Sequence, residues 1–231
     1  MFELSTAEWT AILLSLRVAT VATLVATPLG IALAWLLARR EFWGKSVLDA
    51  AVHLPLVLPP VVTGYLLLLT FGRRGLVGAW LADHLGIVFA FRWTGAALAC
   101  GIMAFPLLVR PIRLSIEAVD RRLEQAAGTL GAAPWQVFAT VTLPLALPGV
   151  LAGMVLGFAK AIGEFGATIT FVSNIPGETQ TSPSAIYSLI QTPDGDTAAL
   201  RLVLVSIVIA LAALVGSEWF ARRATRRLHG N

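Results

Sequence analysis

Charge is scarce in this sequence. Asp, Glu, Lys and Arg make up 13% of its 231 residues, about half the share found in soluble domains. Hydrophobic residues make up 57%, and the mean hydropathy is +0.81. A water-soluble fold would have to expose much of that apolar surface, so the composition points to an integral membrane protein. Cysteine is almost missing too. Cys100 alone cannot close an intrachain disulfide and has no companions for a metal site; in its apolar run it reads as a small buried residue. His53, His84 and His229 are scattered and read as interfacial or solvated side chains rather than ligands. No phosphate-binding loop, G-x-S-x-G or H-E-x-x-H pattern occurs. The chain is therefore expected to carry no catalytic residue and no metal, and not to be an enzyme. The N-terminus, M-F-E-L-S-T-A-E-W-T, lacks a basic region and a small-residue cleavage site, so its apolar run reads as a retained span rather than a signal peptide.

What the chain has instead is long apolar runs. Five approach the roughly 20 residues that cross a bilayer as helix: about 11–38, 47–71, 94–112, 143–165 and 199–220. Barrel strands would be short and alternating, so only helices fit. No repeat or flexible linker is evident, and 1–231 reads as one all-α transmembrane domain. The basic residues then orient it. Arg39, Arg40 and Lys45 follow the first run, Arg110, Arg113, Arg121 and Arg122 lie at the end of the third and beyond it, and Arg222, Arg223, Arg226 and Arg227 follow the fifth. These segments share one side, which the positive-inside rule makes the cytoplasm. The opposite side receives the acidic N-terminus and Glu178, Asp194 and Asp196, but also Arg73, Arg74 and Arg92. Eleven basic residues against three give an N-terminus outside and a C-terminus inside.

Three constellations carry chemistry. The segment 117–142 falls in a cytoplasmic connection. In it, Asp120 can cap a short helix that reaches Thr129, with Glu124 in its first turns. Gly131 can end that helix at positive φ, and Pro134 can start a second one carrying Trp135, Val137 and Phe138. The result is a helix–turn–helix knob able to enter a partner's groove. In the second run, Pro55, Pro59 and Pro60 remove backbone donors next to Thr63 and Gly64, which predicts a kink packed inside protein or against a cavity. Beyond the fourth run, G-E-F-G-A-T-I-T places Glu164, Thr168 and Thr170 near membrane depth, where ionisable groups are costly. Lys160 stands four residues before Glu164 and can pair with it. Pro59, Pro60, Thr63, Glu164, Thr168 and Thr170 are the candidate path-lining residues. Gly149, Gly153, Gly157 and Ala161 form a small-residue stripe at four-residue spacing, for packing within the subunit or, on a sharper reading, between subunits.

The stretch Q-A-A-G-T-L-G-A-A-P-W-Q-V-F-A-T-V-T-L-P, Gln125 to Pro144, resembles the cytoplasmic coupling motif of ABC-importer permeases: E-A-A, three residues, G, nine residues, I, any residue, L-P. Ala126, Ala127, Gly131, Leu143 and Pro144 match. Gln125 stands at the usual Glu position, with Glu124 one residue earlier, and Val141 replaces Ile. Together with H-L-P-L-V-L-P-P-V-V-T-G-Y-L-L-L, G-R-R-G, F-P-L-L-V-R, G-E-F-G-A-T-I-T-F-V-S-N-I-P-G-E-T, I-Y-S-L-I-Q-T-P and S-E-W, the chain resembles the permease subunits of bacterial molybdate importers along nearly its whole length. That resemblance implies a type I, molybdate/methionine-permease-like fold in the inner membrane, moving a tetrahedral oxyanion inward. It implies a second copy of the chain, two cytoplasmic ATPase subunits holding ATP and magnesium, and an extracytoplasmic oxyanion-binding protein. It implies no cofactor on this chain and no nucleic-acid partner, the remaining surroundings being lipid. Glu124, Gln125, Ala126, Ala127, Gly131, Leu143 and Pro144 become the ATPase-coupling residues. Sulfate, thiosulfate or tungstate permeases are the near alternatives. A secondary anion transporter is a different class, but has no use for a docking knob; an intramembrane enzyme would need a nucleophile, metal set or aspartate pair at depth, and none stands out.

Overall fold

A computed structural model describes residues 4–228, with side chains placed except at 214 and 217–228. The basic tail residues Arg222, Arg223, Arg226 and Arg227 and the S-E-W side chains therefore lie outside the described side chains, and His229 outside the described residues. All regular structure among the described residues is helical. In order these are α1 (Thr6–Arg39), α2 (Lys45–Val57), α3 (Pro60–Phe71), α4 (Leu76–Leu85), α5 (Trp93–Glu117), α6 (Arg121–Thr129), α7 (Pro134–Val137), a π-helical turn (Phe138–Thr142), α8 (Leu143–Ile162), α9 (Gly166–Val172), α10 (Ser182–Leu189) and α11 (Asp196–Leu228).

Helix α5 is the most enclosed span and packs along both α1 and α8. Its buried side is Ala96, Ala99, Cys100, Met103, Ala104, Leu108, Val109, Ile112 and Ile116. The facing side of α1 is small, with Ala19, Ala22, Ala26, Gly30 and Ala34, so the two backbones approach closely. Helix α1 starts at a reciprocal cap. Ser5 Oγ accepts from Glu8 N at 3.2 Å, and Glu8 Oε2 accepts from Ser5 N at 2.6 Å. Glu8 also accepts from Arg201 Nε at 3.0 Å, tying α1 to α11.

The glycine stripe of α8 serves this intrachain core. A Cβ on Gly149 would stand 2.6 Å from Pro111 O, and one on Gly153 2.5 Å from Leu108 O. Both oxygens belong to the α5 backbone, so the subunit-contact reading of the stripe gives way to packing within the chain.

Several boundaries depart from the sequence reading: α1 starts at Thr6 rather than 11, α5 continues to Glu117 rather than 112, and α11 starts at Asp196 rather than 199. The run 47–71 is not one crossing helix: α2 and α3 meet at 115°. Leu58 precedes Pro59, which precedes Pro60, and a residue before proline is driven out of the α region. Leu58 and Pro59 accordingly take ψ of 143° and 134°, and two extended residues in succession fold the helix back. Among the described residues four helices are long and apolar enough to cross a membrane, or five when the bent pair counts as one. The helix that carries the fourth span begins nine residues before the span's expected start, because it runs unbroken from Pro134 to Ile162. In a regular turn the Pro144 ring would meet the Thr140 carbonyl; the wider π turn, with Leu143 N donating to Phe138 O, carries the chain past it. The same span stops at Ile162 rather than 165, and α9 is a separate short helix. Finally, the 173–198 connection holds α10, anchored to α1 where Ser182 N donates to Ser15 Oγ at 2.7 Å.

Candidate functional site

The knob is built from local rules. Asp120 Oδ1 accepts from Arg122 N at 2.9 Å and opens α6. At the other end Ala132 N donates to Ala127 O (3.2 Å) and Gly131 N to Gly128 O (3.0 Å), a Schellman closure that needs a left-handed residue. Gly131 supplies it with φ of 88°. Gln136 Oε1 then accepts from Ala133 N at 2.7 Å, and Pro134 begins α7.

The candidate coupling residues divide between two faces. Gln125, Ala126 and Gly131 are exposed and Ala127 is half-buried. Leu143 and Pro144 are half-buried at the root of the knob, and Leu143 packs against the core. Glu124 faces inward. Its Oε1 accepts from Arg39 Nε at 3.2 Å, Arg39 Nη2 at 3.0 Å and Thr142 Oγ1 at 2.6 Å. Arg39 Nη2 also donates to Val119 O at 3.1 Å. One carboxylate thus joins the end of α1, the start of α6 and the π turn that leads into α8. Beside it, Asp49 of α2 accepts from Arg113 of α5 at 2.9 Å, and Trp35 meets Phe138 edge to face at 6.0 Å.

Sequence reasoning missed the apolar tip. Leu130 is 89% exposed and Trp135 70%, on a face that no part of the described chain covers. A large aromatic next to a glycine turn was the available signal. It also read Arg39 only as a topology charge, since its partner is 85 residues away.

The candidate path residues come from two tracts that the fold brings together. A Cβ on Gly64 would stand 2.5 Å from Ala167 O, and one on Gly166 2.7 Å from Pro60 Cβ; α3 and α9 touch backbone to backbone. Glu164 is buried, paired with Lys160 Nζ at 2.6 Å and accepting from Ala167 N at 3.0 Å. Thr168 and Thr170 spend their hydroxyls on Phe165 O and Gly166 O, both at 2.9 Å. Buried Thr63 Oγ1 has no hydrogen-bond partner among the described residues. Pro59 and Pro60 lie exposed at the bend.

Residues 26–226 match the family described as binding-protein-dependent transport system inner membrane component. The chain is similar to the molybdenum transport system permease protein ModB of Escherichia coli (strain K12), 60% identical over 95% of this chain and 96% of that one. It is also similar to the molybdenum transport system permease protein ModB of Haemophilus influenzae, 58% identical over 96% of each. Among solved structures it resembles a bacterial ABC transporter that imports alginate, with a TM-score of 0.74 and 20% identity, covering 95% of this chain and 80% of that one; this likeness concerns the fold.

Proposed function

This chain belongs to the family of binding-protein-dependent transport system inner membrane components, and on that premise we propose that it is the permease subunit of an ATP-driven importer, through which molybdate enters the cytoplasm. The near full-length identity to molybdenum permeases carries the substrate. The assembly is a pair of these chains, with an ATPase docked on each knob and a binding protein on the opposite face. ATP and magnesium belong to the ATPases, and this chain binds no cofactor.

The lever follows from the knob's geometry. Leu130 and Trp135 enter the ATPase groove. Movement of α6 pulls on Glu124, and through it on α1 and α8 together. The stiff run from Pro134 to Ile162 transmits displacement, because helix extends without a hinge loop from the docking surface into the bilayer. The close contact of α3 with α9 is where that movement opens the path, lined by Pro59, Pro60, Thr63, Glu164, Thr168 and Thr170.

The test is uptake into proteoliposomes holding the permease, its ATPase and the binding protein. Labelled molybdate should accumulate only with ATP and resist competition by sulfate. Equal accumulation without ATP, or preferential accumulation of sulfate, sinks the reading. The orientation is tested separately with single cysteines, Arg121→Cys and Glu178→Cys, in a Cys100→Ala background. In intact spheroplasts an impermeant reagent should label position 178 and spare 121; labelling at 121 from outside reverses the topology.

A further inference from the structure

Arg73 and Arg92 run against the charge rule that orients the rest of the chain, and the fold gives them a common purpose. They converge with Arg17 of α1 on one cavity of about 800 Å3. Arg39, Arg113 and Arg201 each pair with a carboxylate. Among the described residues Arg17, Arg73 and Arg92 make no ion pair, and Glu178 is the single acid on the cavity wall. Arg17, Arg73 and Arg92 are exposed on this wall, and three cations facing one acid across a concave surface give it a positive field that draws anions.

Two features of the wall point the same way. Arg17 lies over the Trp93 ring, its Cζ 3.7 Å from the centroid, so a cation–π contact holds the guanidinium at the cavity wall. Arg92 is the N-cap of α5 and offers no side-chain cap. The first amides of that 25-residue helix, at Trp93 and Thr94, therefore lie at the cavity with the positive end of the helix dipole. Phe91, also on the wall, sits at φ of 59°, a strained conformation for a bulky residue.

We propose that this cavity is an anion site for a tetrahedral oxygen-bearing group, held by Arg17, Arg73, Arg92 and the α5 N-terminus. The group is either the free oxyanion on its way into the path or the phosphate of a lipid headgroup. That it faces outward rests on the orientation proposed above.

Val88 lines the same cavity and supplies the reporter. In the assembled transporter with Val88→Cys and Cys100→Ala, placed in phosphatidylcholine nanodiscs, an anionic methanethiosulfonate should react about tenfold faster than a cationic one of similar size at low salt. The ratio should fall toward one at high salt and in the Arg17→Gln, Arg73→Gln, Arg92→Gln triple variant. Arg74→Gln, which lies outside the wall, should leave it unchanged. Slowing of the reaction by molybdate assigns the free oxyanion. Slowing by phosphatidylglycerol in the disc, with no further effect of molybdate, assigns the headgroup. Equal rates for the two reagents, a ratio the triple variant and salt both leave intact, or protection by neither anion overturns the proposal. In sealed vesicles, reaction from the cytoplasmic face alone would refute the orientation while leaving the charge ratio as evidence for the site.

Discussion

Gly131→Val should abolish ATP-driven uptake while leaving the amount of permease in the membrane nearly unchanged. Gly131 stands at φ of 88°, and a Cβ there would meet nothing within 4 Å. No part of the chain is crowded by the change, so the spans should insert and pack as before. The penalty is in the backbone: a β-branched residue at positive φ costs about 1–3 kcal/mol, enough to open the Schellman closure and turn Leu130 and Trp135 away from the ATPase. Gly131→Asn separates strain from bulk, because asparagine enters the left-handed region readily. If Asn transports and Val does not, the backbone conformation is what matters. If both fail with abundance intact, the ATPase needs the empty space beside residue 131. Wild-type uptake and ATPase association in the valine variant would show that the knob is not the lever.

A second large effect is expected at Glu124. Glu124→Ala leaves the Arg39 guanidinium, whose side chain is 9% exposed, without its carboxylate. Breaking such a pair from one side costs about 3–5 kcal/mol. The purified permease should unfold at lower temperature, and ATP hydrolysis should no longer drive uptake in proportion. Glu124→Gln keeps an acceptor for Thr142 and should fall between the two. Replacing both partners by apolar residues, Arg39→Met with Glu124→Leu, should restore most of the stability, since neither charge is then stranded. Restored stability without restored uptake would mean that the charge pair itself carries the coupling. An alanine variant with unchanged unfolding and uptake would remove Glu124 from the mechanism.

The knob was legible in the sequence because its determinants are local. Asp120, Gly131 and Pro134 act on bonds within a few residues, and the structure gives each the cap, turn or helix start that its chemistry favours. The apolar runs were equally plain, as length and composition alone set them. What could not be read was of two kinds. Contacts across the chain, such as Arg39 with Glu124 or Ser15 with Ser182, link residues whose separation leaves no trace in a periodic pattern. Proline's effect was the other. Three prolines announced a kink before Thr63, but not that two extended residues would compound into a 115° bend. The fourth span is expected to start at 143 after a connection, whereas a π turn absorbs Pro144 and the helix runs through from Pro134. The glycine stripe was read correctly as a close-packing face, and only the fold could say that α5 is what it packs against.

The bare tip of the knob has a consequence for the cell's economy of subunits. Leu130 and Trp135 have no cover of their own, and large exposed apolar groups attract chaperones, proteases and unwanted neighbours. A permease made in excess of its ATPase would present this surface continuously. Orphan copies should therefore be cleared faster than assembled ones, so that the abundance of the transporter follows whichever subunit is made in shorter supply.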